Sequence, residues 1–308
     1  MAAVIATDAA TTGAHRADRT VTLSDGRAIM LRTYGAPDGR PVIALHGTPG
    51  SRLKFSATDE PARRLGLRII APDRWGYGGT AAHAEPSLGA FAEDMSALAA
   101  ALGIVSFAVM AVSGGGPYAA ALAACYPERV TALALFAPVG PIAGVEPTMT
   151  PLHRFCFGPL TRRPRAVRGI FRGLRGLLRL SPRLGIAVAM ATAPPADRRV
   201  LASPGVRDRL AATFVEGLRP GAEGPAIDLA LFGAPWDLDL GAARVPARVW
   251  LGSDDRNVPL AAARHLAAAL PDCEVVHLDG AGHLWVALNY DVVLRWIATA
   301  GLETRTSA

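Results

Sequence analysis

Three side chains far apart in the chain have the types needed to attack an acyl group. Ser113 stands where the apolar run Phe107–Val112 stops and gives way at once to Gly114, Gly115 and Gly116. Asp254 and Asp255 follow the apolar run 249–251 by way of Gly252 and Ser253, and His283 follows the run 275–278 by way of Asp279-Gly280-Ala281-Gly282. A serine hydroxyl is a poor nucleophile at neutral pH. It needs a base to take its proton, a carboxylate to orient that base and a dipole to hold the oxyanion that forms.

The elements that must position these groups can be read from the apolar pattern. Phe107–Val112 has the length and continuity of a fully buried strand. The glycines after it, then Pro117 and an alanine-rich stretch, read as a tight turn into a helix, with Pro117 suited to the first helical turn. Ser113 therefore sits on a strained bend of the form G-x-S-x-G, with Ala111 in the place of the first glycine. Short apolar runs at 42–45, 67–71, 130–136 and 248–251 alternate with helix-like stretches at 58–65 and 88–102. That alternation predicts an α/β fold whose mostly parallel sheet is covered on both faces. Ahead of it, runs at 21–23 and 28–34 flank Ser24-Asp25-Gly26-Arg27, a hairpin signal. Ligands of such sheets bind beyond the carboxyl ends of the strands. Ser113, the two aspartates and His283 all fall there, as do 46–49 and Asp73.

With these residues in place, the chain resembles the serine hydrolases of the α/β-hydrolase fold. Their triad order is Ser, Asp, His, the order found here. His46-Gly47-Thr48-Pro49-Gly50 resembles the family's HG-x-P oxyanion loop, and Asp73-Arg74-Trp75-Gly76-Tyr77-Gly78 its D-x-x-G-x-G turn. Gly252 to Asp255 matches G-x-x-D and Gly280 to His283 matches G-x-G-H. The resemblance implies Ser113 as nucleophile and His283 as base and then acid. Asp255 is the expected partner of the imidazole, because G-x-x-D counted from Gly252 lands there and not on Asp254. The backbone N–H groups of Thr48 and Gly114 would form the oxyanion hole. It further implies that His46 packs behind that loop, that Asp73 and Arg74 make a structural turn, and that His277 is structural. Serine at the elbow, where dehalogenases and epoxide hydrolases have aspartate, argues against an alkyl-enzyme. The loop HGTPGSR and the lack of a tryptophan at the elbow argue against a proline iminopeptidase. Cleavage of an ester-type bond in a small, hydrophobic substrate, with no metal and no cofactor, is the implied activity of a carboxylic-ester hydrolase. Non-hydrolytic small-molecule binding, or a cyclase- or perhydrolase-like reaction on the same fold, is the alternative.

Between 139 and 236 the alternation fails, so this segment reads as a helical cap inserted after the sixth strand, with the core formed by 20–138 and 237–308. Residues 1–19 lack the basic start and apolar centre of a secretory signal and read as a disordered leader. Inside the cap, Ile170, Phe171, Leu174, Leu177 and Leu178 recur at helical spacing, and Arg165, Arg168, Arg172, Arg175 and Arg179 mark the opposite face. Pro164 suits the start of this helix and Ser181-Pro182 its end. Gly169, Gly173 and Gly176 weaken it, which fits a cap that shifts or opens.

Between Glu146 and Asp197 there are nine arginines and no acid, against a whole-chain net charge of +6, so the high pI is a local feature and makes no case for nucleic acid. Three cysteines, an odd number without metal-ligand spacing, argue against a disulfide framework and a zinc site and favour the cytoplasm; Cys125 reads as a small core residue. No stretch has the length and apolarity of a membrane span. Nothing in the pattern addresses the oligomeric state.

Overall fold

The computed structural model describes residues 17–303. Residues 1–16 of the expected leader lie outside that range, and Asp18 and Arg19, assigned to it, instead open the first strand. Eight strands form one sheet: β1 (Asp18–Thr22), β2 (Ala28–Gly35), β3 (Arg40–Leu45), β4 (Leu67–Pro72), β5 (Phe107–Val112), β6 (Val130–Phe136), β7 (Ala247–Gly252) and β8 (Cys273–Leu278). Their order is β1-β2-β4-β3-β5-β6-β7-β8. The first two pairings are antiparallel and the remaining five parallel. The antiparallel start follows from Asp25-Gly26: Gly26 takes φ +87°, and Leu23 N donates to Arg27 O at 2.7 Å to close the hairpin.

Helices α1 (Asp59–Arg64), α2 (Leu88–Ala101) and α3 (Gly116–Cys125) connect the first strands. Between β6 and β7 come α4 (Pro151–Phe157), α5 (Pro164–Leu180), α6 (Pro182–Ala189), α7 (Pro195–Ala202), α8 (Val206–Gly217) and α9 (Glu223–Gly233), with no strand among them. Helices α10 (Leu260–Ala269) and α11 (Val286–Glu303) complete the chain. Every residue of β5 is buried, as the apolar run requires of a strand covered on both faces. The parallel register pairs Leu45 with Ala111 and Ala111 with Leu135, so the ends of β3, β5 and β6 lie side by side. The loops that follow these strands meet at one edge.

Two sequence expectations need correction. In α5 the buried stripe runs through Val167, Phe171, Leu174 and Leu178, its start against Leu160 and Ala226 and its end against Leu201, Leu210 and Leu218, while Ile170 is 56% exposed. At about 100° per residue, Ile170 and Leu177 lie roughly 70–90° off the centre of that stripe. Arg168 and Arg175 flank it on the other side and are tied down, Arg168 to the Glu223 carboxylate at 2.8 Å and Arg175 to the carbonyls of Leu218 and Arg219. Cys125 is exposed, because it ends α3 where the chain turns to the surface. Among the described residues no helix is long and apolar enough to cross a membrane.

Candidate active site

Strand β5 ends at Val112 and passes directly into a short 3-10 turn, Ser113–Gly115, that runs on into α3. Ser113 carries the bend with φ +56°, a left-handed conformation that strains a residue with a Cβ. Two glycines make room for it. A Cβ on Gly47 would lie 3.1 Å from Ser113 Cβ, and one on Gly115 would lie 2.5 Å from the Leu45 carbonyl oxygen. The Gly114 amide sits in the first turn of a helix, where N–H groups lack an intrahelical acceptor and the dipole favours negative charge. Thr48 is beside it: a Cβ on Gly114 would come within 2.3 Å of Thr48 Oγ1. The two residues expected to supply oxyanion donors are therefore in contact.

The residues expected as acid and base, Asp255 and His283, stand on the loops after β7 and β8. Asp255 Oδ1 accepts from the amides of Asn257 (2.8 Å) and Val258 (3.3 Å), which fixes the carboxylate. Its other oxygen, Oδ2, lies 2.8 Å from His283 Nδ1, with the Asp255 side chain 2% exposed. With Nδ1 donating to Asp255, Nε2 is left as the basic position of the ring. Asp254 takes no part; its carboxylate accepts from the neighbouring Ser253 Oγ at 3.4 Å. The two loops interlock, since a Cβ on Gly252 would lie 2.3 Å from the Ala281 carbonyl oxygen.

Behind the oxyanion loop, His46 is fully buried and its tautomer is set by its partners. Nε2 accepts from the Arg74 amide at 3.1 Å, so the ring proton is on Nδ1, 2.9 Å from the Gly47 carbonyl oxygen. Burial, and then the charge of Arg74, hold this histidine well below its ordinary pKa. Asp73 accepts from the Arg52 and Gly79 amides and from the Arg52 guanidinium, as a structural turn does. His277 lies in β8 with its side chain exposed.

The sequence reading missed Asp228, which α9 buries to 1% exposure. Its carboxylate pairs with both terminal nitrogens of Arg74 and accepts from the hydroxyls of Thr48, Tyr77 and Tyr118, the last two at 2.6 Å. Burial and the Asp228 charge push both phenols well above their ordinary pKa, so they remain donors. One side chain of the inserted segment thereby holds the oxyanion loop, the turn after β4 and the helix of the nucleophile bend. Asp197 of α7, also missed, braces the other side: it is fully buried, and its Oδ1 accepts from the Leu284 amide at 2.7 Å, next to His283. A Cβ on Gly282 would lie 2.3 Å from that oxygen, which accounts for the second glycine of G-x-G-H. In α8, Thr213 Oγ1 accepts from the Ser51 amide at 3.1 Å. Buried polar contacts thus tie α7, α8 and α9 to the loops of the core, while the three glycines of α5 face open space. A lone acid in the apolar stretch Ile227-Asp228-Leu229-Ala230-Leu231 was the available signal, because a charge on a buried face requires a partner.

Among the described residues no group of three or more His, Cys, Asp or Glu side chains could hold a metal ion.

The fold has counterparts among known proteins. The sequence profile of the alpha/beta hydrolase fold family matches residues 40–289. The chain is 28% identical over 267 residues to an uncharacterised hydrolase, YcgS, of Bacillus subtilis, covering 84% of this chain and 89% of that one. It is 35% identical over 149 residues to a non-heme chloroperoxidase of Streptomyces lividans, covering 44% of this chain and 51% of that protein. A solved alpha/beta hydrolase fold protein from Nakamurella multipartita superposes with a TM-score of 0.64 at 28% identity, over 92% of this chain and 98% of that one. Motif order, sheet topology and profile match converge, and the chain belongs to the alpha/beta hydrolase fold family.

Proposed function

We propose that the protein is a serine hydrolase that cleaves an ester-type bond in a small, hydrophobic substrate through an acyl-enzyme on Ser113. The observation that carries this reading is the 2.8 Å contact of Asp255 Oδ2 with His283 Nδ1, which presents Nε2 as a base at the sheet edge where Ser113 bends. In the first half-reaction His283 takes the Ser113 proton as Oγ attacks the acyl carbon. The same proton passes to the leaving alcohol when the ester bond breaks. Water, deprotonated by His283, then attacks the acyl carbon, and the proton returns to Ser113 Oγ as its bond to the acyl group breaks and the acid leaves. The amides of Thr48 and Gly114 hold the oxyanion in both halves, each donor contributing about 3–4 kcal/mol in sites of this kind. Phe232 lies against Gly114, its ring 3.0 Å from the position a Cβ would take there, which supports an apolar substrate portion next to the oxyanion. The inserted segment acts as the cap over this site, and the cysteine pattern supports a cytoplasmic enzyme.

A fluorophosphonate probe followed by intact-mass analysis tests the assignment. One adduct is expected, absent in Ser113→Ala, together with hydrolysis of short activated esters. An adduct that persists in the variant refutes Ser113. Tight ligand binding with no labelling and no turnover of any ester would make the protein a binder.

A further inference from the structure

The only lysine of the chain lies away from the groups used above. Lys54, on the 3-10 turn Arg52–Thr58, lines a small cavity with Arg209 and Leu210 of α8, Leu284, and Ala287 and Tyr290 of α11. No acid lines it. Among the described residues neither the Lys54 ammonium nor the Arg209 guanidinium has a hydrogen-bonding or ion-pair partner. Two cations lining one small cavity repel each other, and no carboxylate among the lining residues offsets that repulsion.

We infer that this cavity, lined by Lys54, Arg209 and Tyr290 between α8 and α11, is a binding site for a small carboxylate. A guanidinium fork and an ammonium together match the two oxygens of one carboxylate. The Tyr290 hydroxyl already donates to the Lys54 carbonyl oxygen at 3.3 Å, so the ammonium and the guanidinium are the donors left to meet an anion. The apolar walls, Leu210, Leu284 and Ala287, suit a short alkyl chain. The occupied site joins the inserted segment to the core one residue beyond His283.

A protein carrying 13C-lysine gives one side-chain signal, because Lys54 is the only lysine, and that signal tests the inference directly. Titration with sodium butyrate at constant ionic strength, in the full chain, is expected to move the Lys54 Cε resonance saturably. Burial and then the Arg209 charge hold the amine down to about 8. A bound anion favours the protonated form, so the titration midpoint rises. Arg209→Met is expected to weaken butyrate binding by about tenfold or more, and Arg209→Lys by less. Phosphate and chloride at the same ionic strength should displace the signal less than butyrate. The inference is overturned by a resonance that does not saturate with butyrate, by equal binding in Arg209→Met, or by phosphate acting at lower concentration than butyrate. The reporter is Lys54 itself, so none of these results depends on the role of Ser113.

Discussion

Asp228→Asn is the sharpest test of how the inserted segment supports the site. The carboxylate, 1% exposed, meets five donors: two nitrogens of Arg74 and the hydroxyls of Thr48, Tyr77 and Tyr118. An amide keeps one acceptor oxygen and turns an NH2 towards the rest, so Arg74, equally buried, loses its counter-charge and at least two donors lose an acceptor. Breaking a buried ion pair from one side costs about 3–5 kcal/mol. The chain's unfolding entropy, about 2.1 cal/mol/K per residue, then implies a Tm lowered by roughly 5–8 °C. Arg74 retains bonds to the carbonyls of His46 and Gly47, at 3.0 and 3.2 Å, which keeps the loss from being larger. Tyr77→Phe removes one neutral donor from a carboxylate that keeps four, and should cost about 1 kcal/mol. Thermal melts of both variants beside wild type read the stability, and turnover of a short activated ester reads the site. Because the Thr48 hydroxyl loses its anchor, turnover in Asp228→Asn should fall by about tenfold or more with little change in KM. A Tm within about 2 °C of wild type, or equal losses in the two variants, would refute the reasoning.

The remaining expectations can be checked with the same assays. Asp255→Asn should keep the fold and lose several orders of magnitude in turnover, because the amide favours the wrong imidazole tautomer, whereas Asp254→Asn should be near normal; the reverse ranking would move the acid by one residue. Ser113→Gly should abolish probe labelling and, by relieving φ +56°, stabilise the protein by about 1 kcal/mol; an unchanged or lowered Tm counts against strain at the bend. The native pKa of His46 lies below its unfolded value, so the unfolded chain binds the extra proton between the two, and stability is lost as pH falls below about 6.5. Denaturant titrations should show a loss approaching about 1.4 kcal/mol per pH unit from this group, which His46→Gln removes. Lys54, depressed to about 8, disfavours folding while it is charged, so Lys54→Met should raise Tm at pH 7 and the gain should vanish above about pH 10.5; a lower Tm at pH 7 would contradict it.

Local chemistry was enough for much of this protein. The Asp25-Gly26 hairpin, the six-residue run of β5 breaking on Ser113, and the alternation of apolar runs with helices depend on backbone preference and on whether a strand is covered on one face or two. Both effects operate within a few residues and are written in the order of residue types. Glycine positions in the motif loops were equally legible, because a missing Cβ is visible in a sequence even when the atom that needs the space is not. The choice between Asp254 and Asp255 rested on motif spacing, and the carboxylate that meets His283 is the one the spacing indicated.

Tertiary structure alone decided which distant groups meet. Asp228 lies 154 residues from Arg74, 180 from Thr48 and 110 from Tyr118, and only the path of the inserted segment across the sheet edge brings them together. The same path carries Asp197 to the loop of His283 and Arg209 to Lys54. It also chose the buried stripe of α5, where apolar residues on two neighbouring faces competed and the contacts of α8 and α9 selected Val167, Phe171, Leu174 and Leu178. A charge or an apolar face specifies in the sequence only that it needs a partner. Which partner it finds depends on loop closure and packing summed over the whole chain.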